Sequence, residues 1–153
     1  MGFVSNLYQK AQKENILAGI IISDIIAFIA YVIFPYGFAF FGDVQMVIGV
    51  LIGTYFALKH LKKNQTPLKY GMIVALGGSF LTAISIYIFL WTIYLIAATF
   101  FPLDIITSFI LEAFIIGLVI GLIEGLYFKN KLSKTNIIKN DKNDAFYESL
   151  KTK

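Results

Sequence analysis

The sequence predicts an all-α integral membrane protein, a four-transmembrane-helix bundle with its N and C termini cytoplasmic. Three observations predict it. The 153 residues are 58% hydrophobic and only 14% charged, a membrane composition rather than a globular one. Four apolar stretches approach the roughly 20 residues that a helix needs to cross a hydrocarbon core of about 30 Å. The 13 basic residues, all Lys, stand only at alternate ends of those stretches.

Residues 1–15 are short and polar. Phe3, Val4, Leu7, Tyr8 and Ala11 recur at helical spacing opposite Gln9, Lys10, Gln12 and Lys13, which predicts a short helix lying in the membrane interface. The plainer alternative is a frayed polar terminus. The apolar run behind it is too long for the core of a cleavable signal, and no small-residue cleavage site follows.

Span one is expected over residues 16–38, with Pro35 and Gly37 kinking or ending it. Phe34, Tyr36, Phe38, Phe40 and Phe41 read as an interfacial aromatic belt. Span two follows over 44–61 and closes a tight helical hairpin through Gly42 and Asp43. The polar link 62–69 contains Pro67 and reads as a loop. Span three covers 70–94, with Trp91 and Tyr94 at the far interface, and Phe100–Asp104 forms the next turn. Span four covers 104–128, with Asp104 as its N-cap. The tail 129–153 is rich in Lys and Asn, too polar to pack, and expected to be disordered. Ala145, Phe146, Tyr147 and Leu150 are the residues there that suit one turn of helix against a partner or a lipid surface.

Topology follows from the lysines. Lys10 and Lys13 precede span one, Lys59 to Lys69 separate spans two and three, and Lys129 to Lys153 follow span four. The opposite side carries only Asp43 and Asp104. The positive-inside rule therefore puts both termini and the 62–69 link in the cytoplasm, and the expected location is the plasma membrane of a prokaryote.

Every span carries small residues four apart. Span one has Gly19, Ser23 and Ala27; span two has Gly49, Gly53 and Ala57; span three has Gly71, Ala75, Ser79 and Ala83. The clearest stripe is Ala113, Gly117, Gly121 and Gly125 in span four. Such stripes let helices approach closely in lipid. Because all four spans share the pattern, packing within the bundle is the favoured use, and a homo-oligomer seam is the alternative. The segment Ile48–Gly53 also matches Ile116–Gly121, while Ser23, Ala27 and Tyr31 match Ser79, Ala83 and Tyr87 at constant offset. Two parallel hairpin repeats about an axis along the membrane normal would produce this. So would chance, in apolar segments of low diversity.

Three acids fall within the spans. Asp24 is deep in span one, with Ser79 and Thr82 entering span three from the same side. Glu112 lies roughly 12 Å along the helix from Asp104, with Ser85 and Tyr87 at comparable depth. No cation lies at that depth, so burial favours neutral acids, whereas a wet path would serve cations or protons. Asp24, Glu112, Ser79, Thr82, Ser85 and Tyr87 are thus the candidate intramembrane polar site. Glu124 is expected near the cytoplasmic interface, pointing into the bundle or a seam, within reach of Lys59, His60 or Lys129.

No catalytic set stands out. There is no Cys and one His, which removes thiolate chemistry and leaves a His-based metal site short of ligands. Gly77–Gly78–Ser79 sits inside an apolar span and reads as close packing rather than a phosphate loop. No cofactor is implied. The net charge of +4 belongs to membrane orientation, so nucleic acid is not an expected partner. The expected function is a non-enzymatic interaction or accessory subunit, working through small-residue helix faces with its own copy or a larger membrane complex in the lipid bilayer. The alternative is a small cation or proton transporter or channel that uses the intramembrane carboxylates.

Overall fold

The structure is a computed structural model, and it describes residues 2–33, 44–61, 66–97 and 104–151. These residues form four α-helices: α1 (Gly2–Ile33), α2 (Val44–Lys59), α3 (Pro67–Ile96) and α4 (Asp104–Lys151). Three stretches, Glu14–Ile33, Pro67–Ile96 and Ile106–Ser133, are long and apolar enough to cross a membrane, with mean hydropathies of 2.6, 2.1 and 2.5. α2 is also apolar but has only 16 residues, about 24 Å at the helical rise.

α3 ends at Ile96, two residues beyond the expected 94, and the helix bounds differ from the sequence reading in four further places, each with a local cause. α1 starts at Gly2, so the N-terminal segment is continuous with span one and is not a separate element. No Pro or further Gly interrupts the chain before Gly19, and a helix propagates more readily than it starts. α2 ends at Lys59, two residues early, where Leu61 N–H turns back to Leu58 O at 3.1 Å. Pro67 opens α3 instead of marking a loop. It occupies a first-turn position, where its missing N–H costs nothing, and Tyr70 N–H bonds Thr66 O at 3.2 Å. α4 runs on through Lys151, where a disordered tail was expected. Residues 129–151 contain neither Gly nor Pro, so nothing local stops the helix. The aromatic extension 34–41, Asp43, Lys62, Lys63 and the turn Phe100–Leu103 lie outside the described residues, as do the side chains of Asp104 and of the polar tail beyond Ser133.

The helices present small residues inward and large apolar ones outward. On α1, Gly19, Ser23 and Ala27 are buried, while Ile21, Ile25 and Ile29 are exposed. On α4, Ala113, Gly117, Gly121 and Gly125 are buried, while Leu111, Ile115 and Ile123 are exposed. A water-soluble bundle would bury the large residues. This arrangement leaves a broad apolar exterior and suggests an integral membrane protein.

The stripes are consumed within the chain. A Cβ on Gly19 would lie 2.8 Å from Ala57 Cβ, and one on Gly49 would run into Ser23 and Ala27. On the other hairpin, a Cβ on Gly121 would lie 2.9 Å from Met72 Cα, and one on Gly125 2.8 Å from Leu68 Cα. Gly71 faces Gly121 and Gly125 in return. α1 therefore runs antiparallel to α2, and α3 antiparallel to α4. Met46, Val50, Ala75, Ala83, Ala113 and Ile120 form the core cluster where α2, α3 and α4 meet.

The hairpin packing departs from the proposed repeat. Gly53 abuts Ser23 Oγ, and Gly117 abuts Ser79 Oγ, so packing equates Gly53 with Gly117. The sequence match equates Gly53 with Gly121. A stripe of period four permits this one-turn slip, because each small residue is replaced by another. Moreover, α2 touches α3, whereas among the described residues α1 does not touch α4. A two-fold axis would make those two pairs equivalent. The hairpins lie side by side instead, with α2 and α3 central and α1 and α4 on opposite flanks.

Candidate functional site

The polar residues singled out in the sequence are distributed over three places. The first is the α1–α3 flank. Ser85 Oγ donates a 3.2 Å hydrogen bond to Asp24 Oδ2. Asp24 Oδ1 is enclosed and has no hydrogen-bond partner. The pair lines a groove of about 540 Å³ together with Ile25, Phe28, Ile88 and Phe89. Phe28 and Phe89 meet edge to face at 5.5 Å, and Tyr31 meets Phe89 at 6.4 Å. Half-exposed Ile25, Ile29 and Ile88 leave the groove open on the outside of the bundle.

Ser85 takes the place that depth alone had suggested for Ser79 or Thr82. Six residues on a helix turn about 240°, so Ser79 and Ser85 cannot face the same neighbour. Ser79 is buried beside Gly117, and its hydroxyl donates to Leu76 O at 3.0 Å. Thr82 is fully buried, and its Oγ1 has no partner. The angular position of Ser85 on α3 decides the pairing, and depth was the misleading guide.

The second place is the outer surface of α3 and α4. Glu112 is exposed on α4, which does not reach α1, so Asp24 and Glu112 are not brought together. Tyr87 lines a small apolar cleft of about 90 Å³ with Phe80, Phe109 and Ile110.

The third place is the bundle interior. Glu124 is only 7% exposed and points inward, and its Oε2 has no hydrogen-bond partner. His60 Nδ1 donates to Phe56 O at 2.9 Å, and Lys59 and Lys129 are exposed. Thr54, fully buried on α2, also has an unpartnered hydroxyl oxygen. Thr54 is not among the candidate residues of the sequence; it belongs to the buried row Val50, Thr54, Ala57 and Leu58 of α2.

Among the described residues no three His, Cys, Asp or Glu side chains come together as a metal site would need. No protein-family model matches the chain, and comparison with curated proteins and with solved structures finds no match either.

Proposed function

We propose that this chain is a four-span integral membrane protein, with both termini and the 62–69 link on the cytoplasmic side of a prokaryotic plasma membrane, and that it works as a non-enzymatic binding subunit. The apolar exterior and the one-sided lysines support the topology. α2 would cross with local thinning of the bilayer, a modest cost per ångström of mismatch. A reporter fused after Lys153 is expected to be active only in the cytoplasm; extracytoplasmic activity would overturn the orientation.

The observation that carries the binding role is the Asp24–Ser85 pair in an open apolar groove. A carboxyl at membrane depth is costly to keep and marks a place where a donor group is received. The small-residue stripes are occupied by neighbouring helices of the same chain, so the partner docks on the α1–α3 flank instead. That partner is a membrane-embedded helix bearing a hydrogen-bond donor or cation. A photo-crosslinking side chain at Ile29, used in intact membranes, is expected to give a discrete adduct. Asp24→Asn should reduce it about tenfold, equivalent to about 1.4 kcal/mol. An adduct indifferent to that change would remove Asp24 from the interaction.

The second reading, transport of protons or cations, draws on the unpartnered interior oxygens of Thr54, Thr82 and Glu124. Flux in proteoliposomes that is lost in Glu124→Gln and kept in Asp24→Asn and Glu112→Gln would favour it. The absence of flux for protons and alkali cations would discard it.

A further inference from the structure

The helices do not end together at the lysine-bearing end of the bundle. α2 stops at Lys59, one turn after Tyr55, whose ring meets that of Phe128 at 5.5 Å across the α2–α4 seam. α3 starts at Pro67, and a Cβ on Gly125 of α4 would lie 2.8 Å from Leu68 Cα, beside that start. α4 passes both ends and runs on to Lys151. This leaves a ledge, with the ends of α2 and α3 as its floor and α4 as its wall. The apolar stretch of α4 begins at Ile106, so Phe128 lies about 33 Å along the helix from it. That is close to the thickness of a hydrocarbon core, and the ledge therefore stands at headgroup level.

The ledge is basic, and aromatic rings position its cations. Lys131 Nζ stands 6.0 Å from the Tyr127 ring centroid and 5.8 Å from that of Phe128, within the range of cation–π attraction. Tyr127 and Phe128 meet edge to face at 5.4 Å. Tyr55, Phe128, Tyr127 and Lys131 thus form one connected cluster that reaches from α2 to α4. Lys59, Lys69, Lys129 and Lys131 are all exposed, and Lys62 and Lys63 lie between α2 and α3 in the sequence. No Asp or Glu occurs between Asp43 and Asp104, or between Glu124 and Asp141. Glu124 is buried, and exposed Glu14 belongs to α1, which among the described residues does not touch α4. On the side of the ledge toward the membrane centre, Leu122 and Leu126 of α4 are exposed.

We propose that this ledge binds the headgroup of an anionic phospholipid. The lipid phosphate takes the ammonium groups of Lys129 and Lys131 from the wall, and Lys59 and Lys69 add charge from the floor. The acyl chains run along Leu122 and Leu126. Three features select a lipid over a soluble phosphate. Apolar side chains continue the surface directly from the cations into the membrane. Exposed Tyr55 and Tyr127 lie at the level where amphipathic rings meet headgroups. The cations are all Lys, point charges that suit attraction to an anionic leaflet rather than the two-pronged grip of a guanidinium. The shortness of α2 thins the bilayer beside it and brings those headgroups toward the ledge. The proposal rests on the four-span reading, which the reporter fusion tests separately, and is independent of the α1–α3 groove.

Native mass spectrometry of the full chain in a neutral detergent tests it, with phosphatidylglycerol and phosphatidylcholine of identical acyl chains as the probes. A one-to-one phosphatidylglycerol adduct is expected, preferred over the phosphatidylcholine adduct. Lys131→Gln, at an exposed position, should lower that preference about fivefold, the worth of one lysine at a membrane surface. Tyr127→Leu, which keeps the charge and removes one ring from beside it, should lower it about threefold. Lys10→Gln removes the same charge from α1 and should leave the preference unchanged. Any of four results would overturn the proposal. These are equal retention of the two lipids, a loss with Lys10→Gln as large as with Lys131→Gln, a preference untouched by Tyr127→Leu, and displacement of phosphatidylglycerol by an equal concentration of inorganic phosphate.

Discussion

The α1–α3 flank and the α2–α4 seam each hold an acid on an apolar helix, and they treat it in opposite ways. Asp24 is half-buried, tied to Ser85 at 3.2 Å, and set beside a groove of about 540 Å³ that opens outward. Glu124 is 7% exposed and closed in by Ile120 and Phe128 one turn to either side. The difference comes from position in the bundle. α1 is peripheral and leaves one side uncovered, whereas Glu124 stands in the buried row Ile120, Glu124 and Phe128 of α4, and the Phe128 ring meets Tyr55 of α2 at 5.5 Å. An acid on an uncovered side can meet another molecule, whereas an acid in a seam can meet only its own chain and small guests.

The largest expected effect tests how closely α4 packs on α3, on the face beside Glu124. Gly121→Val puts a Cβ 2.9 Å from the backbone of Met72 and should destabilise the bundle by about 1–3 kcal/mol, the range for overpacking. Ile123→Val, at a position 62% exposed, should leave the stability within about 0.5 kcal/mol. Thermal unfolding in a mild detergent compares the two; equal effects would mean that the α3–α4 approach is looser than the glycines imply. Next in size is Glu124→Ala, which removes a buried side chain and leaves a cavity. It should cost about 1–2 kcal/mol in the same assay, with Ile29 crosslinking retained. Asp24→Asn should show the reverse profile: a stability change within about 1 kcal/mol and a tenfold drop in crosslinking. The smallest effect belongs to Ser85→Ala. It removes one part-buried hydrogen bond, worth about 1 kcal/mol, and should weaken crosslinking about fivefold. If Ser85→Ala matched Asp24→Asn, the hydroxyl itself would be a contact for the partner.

Much of the inward and outward sorting was legible before any coordinates. The stripes Gly19–Ser23–Ala27 and Gly117–Gly121–Gly125 turn inward because only small residues allow backbones so close. The inward aim of Glu124 followed from its share of that face. What was not legible depended on relations between helices. The pairing of Asp24 with Ser85 requires the rotation of α3 about its own axis, which depth along the span does not encode. The slip that sets Gly117 in the place of Gly53 is invisible to sequence, because a period of four looks the same after one turn. The separation of Asp24 from Glu112 required knowing that α1 and α4 occupy opposite flanks.

The contrast between flank and seam reduces to one measurement. A photo-crosslinking side chain is placed at Ile29, 51% exposed beside the groove, and in a second variant at Ile123, 62% exposed on the far side of the bundle. Both are irradiated in intact membranes, with and without Asp24→Asn. The account predicts a discrete adduct from Ile29 that falls about tenfold with Asp24→Asn, and no matching adduct from Ile123. Equal adducts from both positions, or an Ile29 adduct unchanged by Asp24→Asn, would contradict it.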